Sequence, residues 1–391
     1  MIAIGLMSGT SMDGITAALV EIEGEQDEIA YESIHRLRVE LIASETVPFF
    51  PEVREELLRL SDAGDLRALC NMNFYLGELL ARAALDIIHK AGKDRSEIDC
   101  IGSHGQTICH SPYGLEGYKF RCPSTLQIGE IDVIAARTGI STVGDFRPKD
   151  IAVGGQGAPL IPYADYHLFA HHAIDRVLLN IGGIANVTHI PSEAALDYVV
   201  AFDTGPGNML LDGLMRKISN GKLSYDKDGE LAAKGKIHAQ LLERLLSHPF
   251  VMKEPPKSTG REDFGAHFLD EVMTQGRTYG LTDEDLLATL TAFTVESIAV
   301  NCQVFLGKVD EIIVSGGGAL NKTIMDGLSE RLTGIKVTTT QEYGIPVDAK
   351  EAVGFAILAY QTIQRRTNNL PRATGAQRHV VMGKVAWGDE I

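Results

Sequence analysis

The feature that most constrains the fold of this chain is a pattern that occurs twice: strand, glycine turn, strand, then a long amphipathic helix, a strand and a second glycine turn. Residues 2–22 (IAIGLMSGTSMDGITAALVEI) and 177–190 (VLLNIGGIANVTHI) each place apolar flanks around small residues that permit a tight turn. In the first half, residues 75–91 repeat Leu76, Leu79, Leu80, Ala83, Ile87 and Ile88 at helical spacing, leading into a strand at 98–101 and Gly102-Ser103-His104-Gly105. In the second half, residues 286–305 keep the same period through Leu290, Phe293 and Cys302, leading into a strand at 311–314 and Ser315-Gly316-Gly317-Gly318. Strands alternating with long helices imply an α/β fold with helical crossovers between parallel strands. Two α/β lobes with a cleft between them follow. The glycine- and proline-rich stretch 144–162 (GDFRPKDIAVGGQGAPLIP) reads as the boundary, giving a first lobe at 1–150 and a second at 151–391, with a last helix at 350–365.

Composition narrows the function. The 391 residues carry 36 Lys plus Arg against 52 Asp plus Glu, a formal charge of −16 that repels phosphate backbones and anionic lipid and disfavours a nucleic-acid or membrane-surface role. The five cysteines are odd in number and form no Cys-x-x-Cys pair, so reduced thiols in a cytoplasm fit better than a disulfide framework or a structural zinc site. Residues 1–20 lack a basic start and are interrupted by Gly5, Gly9, Asp13 and Gly14, which does not read as a signal peptide, and no apolar run reaches the length of a membrane span.

Several motifs carry chemistry. Gly9-Thr10-Ser11-Met12-Asp13-Gly14 combines glycines, hydroxyls and a carboxylate: backbone N–H groups can ring a phosphate there, and Asp13 can hold Mg²⁺ through water, although a plain polar hairpin turn uses the same residues. Phe202-Asp203-Thr204-Gly205-Pro206-Gly207-Asn208 follows a strand and precedes a helical repeat at 209–218. That puts Asp203 at a strand end facing a helix N-terminus, where an anion is favoured, so Asp203 is placed either as a general base or as a turn cap. Gly316, Gly317 and Gly318 open a helix with a bare surface for a flat ring or a phosphate, or simply make a tight turn. His104, Gln106 and Thr107 suit a polyhydroxyl ligand, with a structural histidine as the alternative. Arg147 could grip a carboxylate bidentately or form an ion pair. Neither Gly-x-x-x-x-Gly-Lys-[Ser/Thr] nor Gly-x-Gly-x-x-Gly occurs.

Four glycine motifs in this order resemble the sugar-kinase, actin and heat-shock chaperone superfamily, which implies a duplicated, two-lobed actin/hexokinase-like (ribonuclease H-like) fold that closes on ATP and Mg²⁺. Within it, GLMSGTSMDG (5–14), IGSHGQT (101–107), the 144–162 stretch, LNIGGIANVT (179–188), FDTGPGN (202–208), PPKSTGRE (255–262), SGGGALN (315–321) and EYGIP (342–346) together resemble anhydro-N-acetylmuramic acid kinases. The resemblance implies ATP-dependent opening of the 1,6-anhydro bond and phosphorylation of O6, with Asp203 deprotonating the attacking water. It further implies phosphate contacts from Gly9, Thr10, Ser11, Met12, Asp13, Gly14, Ile15 and Thr16, from Gly182 and Gly183, and from Gly205, Gly207 and Asn208. Gly316, Gly317, Gly318 and Asn321 would border the nucleoside, Arg147 would take the substrate's lactyl carboxylate, and His104, Gln106 and Glu342 would touch the sugar. A cytoplasmic homodimer is also implied. Against the wider superfamily, the second hairpin begins Asn180-Ile181-Gly182-Gly183, so a neutral amide stands where an acidic residue is common.

Overall fold

A computed structural model describes residues 1–9, 12–24, 36–62, 64–389 of the chain, so Thr10 and Ser11 of the first glycine turn lie outside the described residues. In chain order the first strands are β1 (Ile2–Met7), β2 (Gly14–Glu23) and β3 (Arg38–Pro48), followed by helix α1 (Leu66–Lys90). Next come β4 (Cys100–Ser103), β5 (Gln106–Ser111), β6 (Ser124–Ile128), β7 (Thr142–Gly144) and α2 (Phe146–Ala152). The chain continues through β8 (Arg176–Ile181), β9 (Ile184–Ile190), β10 (Val200–Pro206), α3 (Met209–Ile218) and α4 (Asp283–Phe305). It closes with β11 (Glu311–Ser315), α5 (Lys322–Arg331), β12 (Lys336–Thr339), α6 (Lys350–Ile363) and β13 (Lys384–Ala386).

The pattern seen twice in the sequence is a duplicated sheet. One sheet runs β13-β7-β4-β1-β2-β3 and the other β10-β9-β8-β11-β12. In each, three antiparallel strands are extended by two parallel ones: β1–β2–β3 with β4 and β7, and β8–β9–β10 with β11 and β12. This is the ribonuclease H-like order, built twice, and β13 adds an antiparallel edge to the first copy. The helix read at 75–91 is longer than its apolar period, starting at Leu66 behind an Asp65 cap whose carboxylate accepts from the N–H groups of Arg67 and Ala68.

The chain divides into two compact units, Met1–Ala170 with Ala194–Val199 and Gly344–Ile391, and His171–Glu193 with Val200–Tyr343. The expected break at residue 150 is therefore displaced. Within 144–162 the chain forms the end of β7 and then α2, and the C-terminal 48-residue stretch assigned to the second lobe belongs to the first unit. Sequence could not show this, because α6 is joined to the first sheet by packing and not by chain proximity. Its backbone lies directly on two strands: a Cβ on Gly5 of β1 would fall inside the Ala352 carbonyl, and one on Gly102 of β4 would collide with the Phe355 carbonyl. The second unit has its own core, in which Val177, Leu179, Phe202, Leu214, Phe293 and Ile312 are buried together. Helix α4 corrects the reading that no segment is long and apolar enough to span a membrane. By length and composition its 23 residues pass, yet 72% of its most apolar window is buried inside the fold, as in a core helix.

Gly102→Ala is expected to cost about 1–3 kcal/mol in urea denaturation, because the α6 backbone must move to admit one methyl group. Gly307→Ala, where a Cβ meets nothing within 4 Å, should be neutral by the same measurement.

Candidate active site

Asp203 lies within β10 and not at its end, since the strand continues to Pro206. It does so through a bulge between Asp203 and Gly205, where Gly205 takes φ +143° against the Ser297 hydroxyl. The bulge re-aims the strand without ending it. The Asp203 carboxylate accepts the Thr259 N–H at Oδ2, 2.9 Å away, and its own N–H donates to the Lys257 carbonyl. Burial pushes the Asp203 carboxyl up to about 6; the Glu262 charge adds to this, while the Thr259 N–H and the Lys257 ammonium pull the other way.

The turn after Asp203 is built differently from the expected open anion site. The N–H groups of Gly207, Asn208 and Met209 donate to the carbonyls of Gly183, Gly182 and Gly183 in turn, and Asn208 Nδ2 donates to the Ile181 carbonyl. The start of α3 is thus sewn to the β8–β9 turn, and these donors are spent within the protein. A Cβ on Gly207 would collide with the Gly182 carbonyl, whereas Gly182 and Gly183 have ordinary room.

The glycine run 316–318 also serves packing first. Gly316, at φ +80°, would drive a Cβ into Asn180 Oδ1, and Gly318 would drive one into Ile181. Gly317 alone keeps an open face, with Asn208 Nδ2 at 3.6 Å as the atom a Cβ would meet. Asn321 is the N-cap of α5, its Oδ1 accepting the Ile324 N–H at 3.1 Å. Asn180 Oδ1 accepts from the Ser315 hydroxyl at 3.4 Å, so the amide in place of a carboxylate serves as a strand-end link.

In the first unit, Met12 takes φ +50° with its side chain in the core and its N–H on the Gly9 carbonyl, Ile15 is buried, and Thr16 meets the Thr46 hydroxyl. A Cβ on Gly14 would collide with the Val47 carbonyl, and Asp13 is exposed. The Ile15 side chain therefore packs in the core, which leaves only its backbone to meet a ligand. His104 is buried with Nδ1 2.9 Å from the Gly105 carbonyl and Nε2 2.9 Å from Arg147 Nη2. Those partners assign the neutral ring with the proton on Nδ1, and burial, reinforced by the Arg147 charge, lowers its pKa to about 3. Arg147 Nη1 donates to the Gly157 carbonyl at 2.6 Å, its Nε is buried without a partner, and burial brings its pKa down to about 10. Asp150 makes no ion pair with it; instead it accepts from the Gly157 N–H, Asn369 and Thr374, fixing the very loop that holds Arg147.

Gln106 is wholly buried, accepting from the Ser8 hydroxyl at 2.6 Å and donating to the Thr107 carbonyl, so its amide is committed within the unit. Glu342 is exposed in the second unit, 3.9 Å from the Lys336 ammonium. A cavity of about 300 Å³ opens beside His104, lined by Cys70, Asn73, Gln127, Glu130 and Asp145 among others, and Gln127 Oε1 in its wall is buried without a partner.

A model of the anhydro-N-acetylmuramic acid kinase family matches residues 1–388. The chain belongs to this family. It is 46% identical to the anhydro-N-acetylmuramic acid kinase of Caldanaerobacter subterraneus subsp. tengcongensis, over 98% of this chain and 96% of that one. It is 42% identical to the enzyme of that name from Bacillus thuringiensis subsp. konkukian, over 99% of both chains. Among solved structures it is similar to component A of (R)-2-hydroxyglutaryl-CoA dehydratase from Acidaminococcus fermentans, at 14% identity and TM-score 0.48, covering 93% of this chain and 99% of that one. Membership makes the chain a kinase that uses ATP.

Two groups beside the residues singled out above, one in each unit, escape sequence reasoning. Thr259, which supplies the N–H on Asp203, sits in the PPKSTGRE stretch, whose role no spacing rule reveals. Glu351, whose carboxyl burial pushes up, is close enough to Arg147 to feel its charge. The available signal was a charged pair, Lys350-Glu351, at the head of an otherwise apolar helix.

Because Asp203 titrates higher in the folded than in the unfolded chain, the protonated form supports folding. That contribution is complete below the unfolded pKa and is lost as pH rises through about 6. Asp203→Asn should therefore be more stable than the wild type at pH 8, by about 1 kcal/mol or more, with the gain disappearing near pH 4 in thermal melts.

Proposed function

We propose that this kinase opens the 1,6-anhydro bond of 1,6-anhydro-N-acetylmuramic acid with water and phosphorylates O6 from ATP, giving N-acetylmuramic acid 6-phosphate and ADP. The observation that carries the assignment of the base is the Asp203 carboxylate, half-buried and held at Oδ2 by one backbone N–H, with no hydrogen bond to Oδ1 among the described residues. Its pKa near 6 keeps it ionised at neutral pH yet basic enough to take a proton. Asp203 removes a proton from water, whose oxygen bonds to C1 as the C1–O6 bond breaks. O6 leaves with that electron pair and bonds to the γ-phosphorus as ADP departs. No separate acid is needed for O6, since the phosphoryl group takes up the developing oxyanion.

The first unit supports sugar binding through the cavity beside His104. Its mixed wall and the unpartnered Gln127 Oε1 suit hydroxyl and amide groups. Arg147 is the proposed contact for the lactyl carboxylate, since its Nε lacks a partner and each Nη, with two N–H donors, has one protein partner. Phosphates would be received by the turn between β1 and β2, and the nucleoside by the open face of Gly317. Among the described residues no group of three or more His, Cys, Asp or Glu could hold a metal ion by itself. Mg²⁺ commonly needs only one or two carboxylates besides the nucleotide phosphates, so the exposed Asp13 fits it through water. When bound, the ion would neutralise phosphate charge. A cytoplasmic homodimer completes the reading, on family resemblance alone.

Mass spectrometry after incubation with ATP and the anhydro sugar should show a product heavier than the sugar by one water and one phosphoryl group; phosphoryl alone would overturn the hydrolytic half. Asp203→Asn should bind both substrates and lose turnover by about 100-fold or more.

A further inference from the structure

Lys257 is buried, 5% exposed, in a stretch of sequence to which the reaction assigns no chemistry. Its ammonium donates to the carbonyls of Phe250 at 3.1 Å and Val251 at 2.9 Å. It also lies 4.9 Å from the ring centres of Phe250 and Phe305 and 5.9 Å from that of Phe202. A slot walled by three phenylalanines would be filled more cheaply by leucine or methionine, because burying an ammonium costs hydration that hydrogen bonds only partly return. What lysine adds is two directed donors and a positive charge.

Both act on the surroundings of Asp203. The Lys257 carbonyl receives the Asp203 N–H, and two residues on, the Thr259 N–H meets Asp203 Oδ2. The Thr259 hydroxyl is in turn anchored on Asp263 Oδ2 at 2.6 Å. The Val251 carbonyl that takes the ammonium also takes Asn301 Nδ2, which reaches the carbonyl of Thr204, the residue after Asp203. Lysine side chain, segment 257–259 and β10 therefore form one closed loop of hydrogen bonds around the carboxylate. The charged groups felt by this pair are Glu262 for Asp203 and Lys253 for Lys257.

We propose that Lys257 is a positioning residue for Asp203: by fixing the segment that presents the Thr259 N–H, it holds the base carboxylate in a single orientation and lends it positive charge without touching substrate. The proposal rests on Asp203 being the base, as argued above. The test uses the full-length enzyme, with kcat and KM measured for ATP and for the anhydro sugar from pH 5 to 9. Lys257→Met, which fills the slot without donors or charge, should lower kcat by about 10-fold with both KM values within about 2-fold of wild type. The acid limb of its kcat profile should move to higher pH by about half a unit or more, since charge and N–H both favour the ionised carboxylate. Thr259→Val, which removes the hydroxyl anchor and keeps the N–H, should shift the limb the same way by less; if Lys257→Met does not fold, Lys257→Gln, which removes the charge and keeps N–H donors, takes its place with the same direction of shift expected. An unmoved acid limb in the folded variants, even with a lower melting temperature or lower kcat, overturns the proposal and leaves Lys257 purely structural. Asp203→Asn, run in parallel, separates the two ideas: near wild-type turnover there would overturn the base itself, whereas a dead Asp203→Asn beside an unmoved Lys257→Met profile overturns only the positioning role.

Discussion

The seating of α6 on Gly5 and Gly102 is the contact on which the first unit depends. With no side chains between helix and sheet at those two points, the helix backbone lies against β1 and β4 as closely as sterics allow, and any Cβ there would lift it. Everything the helix carries is thereby placed. Phe355 lies against His104, with ring centres 4.9 Å apart, and against Phe146 at 5.6 Å, so the two residues flanking the Arg147 site rest on one ring. Lys350 at its head is buried in an ion pair with Asp165 at 2.9 Å, within the same unit. Breaking one side of such a pair strands a buried charge, so both partners are needed where α6 begins.

The same logic explains why the glycine motifs were the most legible and the most ambiguous part of the sequence. Their positions located both hairpins and both strand-to-helix turns, because only glycine tolerates those close approaches. Yet a glycine needed to admit a ligand and one needed to admit a neighbouring backbone look alike in one dimension. Gly14, Gly207, Gly316 and Gly318 are of the second kind, each blocked by protein atoms where a Cβ would stand. Gly182, Gly183 and Gly317 have room on that side and stay compatible with the first.

Local pattern was sufficient where local forces decide. The helical period of 209–218 matches α3 residue for residue, and both hairpins fall where apolar flanks meet small turns. It failed where partners are distant in the chain. Gly144–Pro162 reads as a lobe boundary for its glycines and prolines, but Asp150 accepts from the Gly157 N–H, Asn369 and Thr374, so the stretch is clamped by residues far along the chain. In the sequence Asn321 reads only as an implied nucleoside contact, and its capping of α5 through the Ile324 N–H depends on where the helix begins in space.

An acidic protein that handles polyphosphate must keep its own carboxylates from repelling the reaction, and Asp203 shows how narrowly that is arranged. Desolvation and Glu262 favour the neutral acid, whereas one backbone N–H and a buried ammonium favour the anion, and the result lies near 6. Full exposure would leave the carboxylate at its ordinary pKa, weak for the role of base proposed above. Burial without the N–H and the ammonium would raise its pKa further. The clamp at 257–259 thus limits how far burial can raise the carboxyl's pKa, while the bulge falls directly after Asp203, which keeps its place opposite Asn186 in the ladder. A formal charge of −16 spread over the chain is compatible with the chemistry proposed above because a backbone N–H and a buried lysine oppose desolvation and Glu262 locally, at the carboxylate itself.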